Sequence, residues 1–343
     1  MPDVEKEFCM KKFVKIVAAA SLAACVSWSF AACARNGSDG GVVSVYMPDG
    51  APALAMAQLM VEEPDLGIET KYSVVDANTI QTYVSGGSAD VCILPVNAAA
   101  AVAGDGKSYT MLGVVTHGNL YMLSAKYDQN VTSENLTSLV GKSVGCIQLQ
   151  SFVGTVLKAV LDDKGIPYTV VEDVSQADEG KVNLINIANP ATEITPAAEF
   201  DYMVAAEPVV TAKTSNGAIK VVGDLQQLYG EGGYPQAVMV AKNSLAEDEP
   251  EYITALISAV TESAEWIVSD DASAEDIVEA VNGNGGATLN VNNLKPQTIS
   301  RCAVSFQTAL SAREEVLAFI QKYNAVTQSD IKVSDSFFYG YGA

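Results

Sequence analysis

One stretch limits the fold more than any other: Val42-Val43-Ser44-Val45-Tyr46-Met47-Pro48-Asp49-Gly50-Ala51-Pro52-Ala53-Leu54-Ala55-Met56-Ala57-Gln58-Leu59-Met60. Its β-branched start predicts a strand that ends at Pro-Asp-Gly, a turn signal. Pro52 then stands where a first helical residue would, and Ala53, Met56, Ala57 and Met60 mark one helical face. In a strand–loop–helix unit the unpaired N–H groups of the helix start face past the carboxyl end of the strand, where open α/β sheets hold small molecules. The loop around Asp49 and Gly50 is therefore expected to form one lip of a cleft.

The same device returns at Leu94-Pro95-Val96-Asn97-Ala98-Ala99-Ala100. Strands are expected at 41–47, 67–74, 90–94, 109–116 and 120–125, with helices at 52–62 and 78–85. A second unit begins near Lys126, with strands at 143–147, 168–171, 201–205 and 219–223 and a helix at 155–164; residues 237–241 add one more strand. Strand alternating with helix predicts mostly parallel sheets covered on both faces. Residues 173–199 show no dominant period and read as short helices and loops. Beyond Leu245 the chain reads as helical, with stripes at Ile253, Leu256, Ile257, Val260, Ala264 and Ile267 and at Phe306, Leu310, Leu317 and Ile320. Residues 282–290, rich in Gly and Asn, read as a surface loop.

A chain of 343 residues is too long for one ordinary core. The fold class is α/β with two βα lobes and a helical C-terminal tail. Lobe 1 comprises 41–126 plus 237–343 and lobe 2 comprises 127–236. The chain then crosses between lobes twice, near 125–127 and 234–237, which makes a hinge.

The formal net charge of −21 argues against a nucleic-acid partner, whose phosphates need clustered Lys and Arg. Met10-Lys11-Lys12 followed by Ile16-Val17-Ala18-Ala19-Ala20 has the basic and apolar regions of a secretory signal. Asp3, Glu5 and Glu7 are out of place in such a region, which favours Met10 as the start. Leu22-Ala23-Ala24-Cys25 and Phe30-Ala31-Ala32-Cys33 both resemble a bacterial lipobox. Cys33 is preferred over Cys25 because it leaves a polar tether, 34–40, between the 1–33 leader and the fold. Acyl chains there would hold the protein at a membrane surface. Cys92, Cys146 and Cys302 lie in apolar runs without metal-ligand spacing and read as buried small hydrophobes.

Taken with the leader, the motifs Pro48-Asp49-Gly50-Ala51-Pro52, Leu94-Pro95-Val96-Asn97, Thr116-His117-Gly118-Asn119, Phe152-Val153-Gly154 and Ala206-Glu207-Pro208 make the chain similar to the substrate-binding lipoproteins of ABC importers. The nearest branch is the nitrate/sulfonate/taurine type, which also includes binders of thiamine-pyrimidine precursors. The resemblance implies a periplasmic-binding-protein fold with two crossings, no enzymatic activity, no cofactor, and a permease with its ATPase as partners. It implies a place on the outer face of the bacterial cytoplasmic membrane.

On such a fold the loops at strand carboxyl ends face the cleft. The expected ligand contacts are Asp49, Gly50, Asn97, His117, Asn119, Gln148, Gln150, Phe152, Glu207 and Tyr234. Structural roles compete with this reading: Asp49 in an Asx turn, Asn97 as a helix cap, Tyr234 as a brace at the crossing. His117, the single histidine, has no GxSxG-like motif around it and reads as a hydrogen-bonding group in a binding loop rather than a catalyst. None of these loops contains Lys or Arg, so a neutral or cationic organic ligand is expected over a sulfonate or nitrate. The competing functions are an enzyme on the same fold, of the menaquinone-pathway type, and a lipoprotein sensor with a degenerate cleft.

Overall fold

The opening stretch folds as strand, loop and helix: β1 (Val43–Pro48) ends at Asp49-Gly50, and short helices Ala51–Leu54 and Ala57–Glu62 follow. The expected single helix is broken at Ala55 and Met56, which close turns of their own. The structure, a computed structural model, describes residues 41–342. The leader, the tether, Cys25 and Cys33 lie outside the described residues. The described residues from Val42 onward form one compact unit.

Within it stand two six-stranded sheets. The first sheet contains β1, β2 (Thr70–Val75), β3 (Val91–Pro95), β4 (Tyr109–Thr116), β11 (Ala237–Lys242) and β12 (Val304–Thr308), in the order β12-β4-β11-β3-β1-β2. The second contains β5 (Leu120–Ser124), β6 (Ser143–Ile147), β7 (Tyr168–Val170), β8 (Val182–Ile187), β9 (Tyr202–Ala206) and β10 (Lys220–Asp224), in the order β10-β5-β9-β6-β8-β7. The central strands are continuous apolar runs: Val91, Cys92, Ile93 and Leu94 have no exposed surface, as a strand covered on both faces requires. Each sheet is mixed rather than mostly parallel. β11 runs antiparallel to β3 and β4, and β5 runs antiparallel to β9 and β10.

Three expectations are corrected by the pairing. Residues 120–124 do not stay with the first sheet: β5 pairs with β9 and β10, so the chain passes between sheets at 117–119 and not at 125–127. Every residue of β5 is buried, so its side chains show no alternation that could assign it to either sheet. The unassigned stretch holds β8, which lies between β6 and β7 in parallel register. The C-terminal part is not all helix, because Phe306 sits in β12, antiparallel to β4 at the sheet edge. Beyond it, helix Ala309–Thr327 buries Ala309, Ala312, Val316, Phe319 and Ile320, whereas Leu310 is 50% exposed. The expected stripe ran across a strand–helix boundary and so took the wrong helical phase.

That helix packs on β4 and on helix Phe152–Asp163, which places it against both sheets. A continuous apolar cluster follows it, from Leu94 and Val114 of the first sheet through Tyr234 and Phe319 to Val144 and Val204 of the second. Helices Ala57–Glu62, Pro250–Trp266 and Ala274–Gly283 cover the other face of the first sheet. Among the described residues no helix is long and apolar enough to cross a membrane.

Candidate functional site

The two crossing segments, 117–119 and 230–236, lie side by side. Gln236 N donates to Thr116 O at 2.9 Å, and Ala237 N donates to Thr116 Oγ1 at 3.2 Å. The Gln226 side chain joins both segments, since its Oε1 accepts from Leu120 N and from Tyr234 Oη, each at 2.9 Å. Gly233, at φ +76°, packs so closely that a Cβ there would meet His117 O at 2.9 Å. Only glycine fits that turn.

From this junction a line of polar groups runs from one sheet to the other. Val96 N, at the carboxyl end of β3, donates to Gln236 O at 2.9 Å. Gln236 Nε2 donates to Asn119 Oδ1 at 2.8 Å, and Glu207 N, just past β9, donates to Asn119 O at 3.1 Å. Nearby, the loop after β1 meets the loop after β9: a Cβ on Gly50 would lie 3.7 Å from Pro208 Cδ. Gly50, Val96, Asn119, Glu207 and Gln236 thus share one seam between the sheets, and Asn97 is the next residue after Val96. Two acceptors along it are buried with no hydrogen-bond partner among the described residues, Asn97 Oδ1 and Gln236 Oε1. Leaving a buried acceptor unpaired costs about 1–3 kcal/mol, so a donor brought to either atom would be held. Gln236 was missed by sequence reasoning; it precedes β11, and only the register of Ala237 opposite Pro95 brings it beside Val96.

The other candidates are placed elsewhere or already engaged. Asp49 faces its own sheet, where its carboxylate accepts from Ala287 N (2.8 Å), Thr288 N (2.9 Å) and Thr288 Oγ1 (2.8 Å). The stretch expected as a surface loop at 282–290 is mostly exposed, and these bonds fasten it to the turn after β1. His117 turns to β12 and helix Ala309–Thr327: Nδ1 is 2.8 Å from Ser305 Oγ, and Nε2 is 3.0 Å from both Gln307 Oε1 and Glu315 Oε1. A carboxylate only accepts, so Nε2 carries a proton, and Nδ1 shares a hydrogen bond with the Ser305 hydroxyl. Tyr234 is wholly buried and Phe152 nearly so, in an aromatic group with Tyr229 and Phe319. Neither ring presents a free face to a ligand. Gln148 and Gln150 are exposed in the loop before helix Phe152–Asp163, and Gln148 (φ +47°) receives Ser151 N on its carbonyl.

Glu207 is 3% exposed and both of its oxygens are occupied. Oε2 accepts from Thr211 N and Oε1 from Thr211 Oγ1, each at 3.0 Å, and Arg301 Nη1 lies 3.6 Å from Oε1. Burial outweighs these partners and holds the carboxyl above the usual carboxylate range. A carboxyl raised in this way contributes stability below its unfolded value and loses it as pH rises through its folded value. Glu207→Gln is therefore expected to lose less thermal stability than the wild type between about pH 4 and about pH 7. Melting temperatures of both proteins at the two ends of that window check the sign. Burial likewise raises the Cys92 and Cys146 thiols to about 12, so these free cysteines are inert small hydrophobes. Among the described residues no group of three His, Cys, Asp or Glu side chains could hold a metal ion.

The description "NMT1/THI5 like" belongs to the family model that matches residues 65–274, more than half of the chain. The chain belongs to the NMT1/THI5-like family. No curated protein matches it. Among solved structures, this family member is similar to an ABC transporter protein from Parabacteroides distasonis, with 18% identity, a TM-score of 0.68, and coverage of 88% of this chain and 99% of that one. It is similar to the periplasmic aliphatic sulphonate binding protein SsuA of Escherichia coli, with 14% identity, a TM-score of 0.63, and coverage of 89% and 93%. The alkanesulfonate-binding protein SsuA of Xanthomonas axonopodis pv. citri, bound to MOPS, gives 14% identity, a TM-score of 0.60, and coverage of 88% and 99%. At these identities the likeness establishes the fold, and the NMT1/THI5-like chain has the periplasmic-binding-protein fold its two sheets and two crossings describe.

Proposed function

We propose that this chain is the solute-binding component of an ABC importer, held by lipid on Cys33 at the outer face of the bacterial cytoplasmic membrane. It catches a small organic solute between its two sheets, closes about the crossing segments, and presents the closed form to a permease and its ATPase. The observation that carries this reading is the seam where the sheets meet: Gln236 bonds Val96 and Asn119 there and keeps a buried, unpartnered Oε1, and Asn97, next to Val96 in the chain, keeps a buried, unpartnered Oδ1. A solute with N–H or O–H donors would satisfy both.

The same pair favours a neutral or cationic solute over a bare anion. The SsuA neighbours point to sulfonates, but two carbonyl oxygens repel a sulfonate group. Among the described residues the guanidinium on this seam is that of Arg301, and it is already beside Glu207. Calorimetry with taurine, alkylsulfonates, nitrate, and pyrimidine- or thiamine-like compounds tests this, and tight binding of a sulfonate alone would overturn it. Asn97→Leu is expected to weaken whichever compound binds by about tenfold, the worth of one buried hydrogen bond. The unliganded variant should melt no lower than the wild type, because it loses an unsatisfied group.

An enzyme on the same fold has one observation in its favour, the line Ser305–His117–Glu315. Gln307 competes with Glu315 for the same ring nitrogen, and all of these partners belong to the first sheet and its C-terminal helix. That arrangement suits a strut fixing the crossing segment. Turnover of an ester or amide that Ser305→Ala abolished would restore the enzymatic reading.

A further inference from the structure

Segment 284–301 is fastened along the first sheet and reaches across to the second. Asn284 O accepts from Val74 N at 2.8 Å, and Ala287 and Thr288 are held by Asp49, so the segment passes the carboxyl ends of β2 and β1. Its last turn, helix Pro296–Arg301, then touches three groups of the other sheet. Thr298 Oγ1, fully buried, donates to Thr211 Oγ1 at 3.0 Å. The Arg301 guanidinium lies 3.6 Å from Glu207 Oε1 and 5.4 Å from the centre of the Tyr121 ring. Tyr121 Oη donates to Arg301 O at 3.2 Å. Tyr121 is in β5, Glu207 follows β9, and Thr211 is on the helix after it, so every one of these contacts bridges the sheets.

We propose that Thr298 and Arg301 form a latch that holds the two sheets closed on each other whether or not a solute lies between them. The proposal deepens the binding-protein reading and rests on it for its purpose. The latch groups satisfy one another, so they hold the sheets without a solute's help. Its strength is moderate by construction, since the attraction between Arg301 and Glu207 is set against the cost of drying both charges. A latch of that kind biases an opening equilibrium and does not lock it. Because apparent affinity scales with the fraction of binding-competent protein, the latch also tunes how tightly any solute is held.

The test measures opening directly, with no solute added. Spin labels on ketone-bearing unnatural residues replace Asn78 and Glu172, both exposed, in the loops after β2 and β7, in the full chain. Pulsed dipolar spectroscopy then reads the distance between the sheets. Arg301→Met and Thr298→Val are each expected to raise the longer-distance population roughly tenfold. Lys126→Ala, which removes an ion pair with Asp201 on the second sheet's side alone, should leave it unchanged. Should Arg301→Met fail to fold, the near-isosteric Thr298→Val carries the same test. Folded variants with the wild-type distance distribution would overturn the latch. A wild type that binds a compound of the calorimetric panel while Arg301→Met stays closed sinks the latch and spares the binding reading. A wild type that binds none while Arg301→Met opens does the reverse.

Discussion

Tyr234→Ala is expected to lower the unfolding free energy by about 3–5 kcal/mol, the range for removing a large buried ring. Tyr234 is fully buried, and its ring centre lies 6.0 Å from Phe152, 5.3 Å from Tyr229 and 6.3 Å from Phe319. Those partners come from helix Phe152–Asp163, the end of helix Leu225–Tyr229, and helix Ala309–Thr327. The ring therefore fastens a crossing segment to elements that touch both sheets. For a chain of this size the loss corresponds to a fall in melting temperature on the order of 10 °C. Tyr234→Phe keeps the ring and removes one donor to Gln226 Oε1, which still receives Leu120 N, so it should cost only about 1 kcal/mol. Urea unfolding of the three proteins decides the matter. A loss under about 1 kcal/mol for the alanine variant would mean that the aromatic group does not support the crossing.

Gly154→Ala is the second large effect, and it acts through space rather than backbone angles. A Cβ at Gly154 would lie 1.9 Å from Leu149 O and 2.4 Å from Leu149 C, distances no relaxed structure holds. The added methyl must push the 148–151 loop off the start of helix Phe152–Asp163, or move the helix. Overpacking of this severity costs about 2–3 kcal/mol, at the upper end of its range. The displaced loop carries Gln148 and Gln150, so the variant should lose affinity for any compound these residues contact as well as stability. A Gly154→Ala protein that melts with the wild type would show that the loop and helix are not packed in this way.

Gly154 shows how far local reading goes. Phe152-Val153-Gly154 reads in the sequence as the end of a loop before a helix at 155–164, whereas the helix starts at Phe152 and the reason Gly154 is glycine is the carbonyl of Leu149 lying against it. Asp49 is similar. Its turn is legible, whereas the Ala287 and Thr288 groups that claim its carboxylate stand 238 and 239 positions away. His117 was legible as a polar group in a loop, and its partners Ser305 and Gln307 were hidden by reading β12 as helix. A short edge strand flanked by helices has too few alternations to show its period.

By itself the sequence determined the strand–turn–helix units, their alternation, the apolar central strands and the burial of Cys92, Cys146 and Cys302, because these follow from neighbours within a few residues. Only the tertiary structure decided that β5 joins the second sheet, that Gln236 stands beside Val96 and Asn119, and that Thr298 and Arg301 reach Thr211 and Glu207. Those facts depend on strand register and on contacts about 80 to 140 residues apart, where a shift of one position would turn each side chain to the opposite face. Periodicity tells which face of an element is buried, and the choice of what it is buried against belongs to the folded chain.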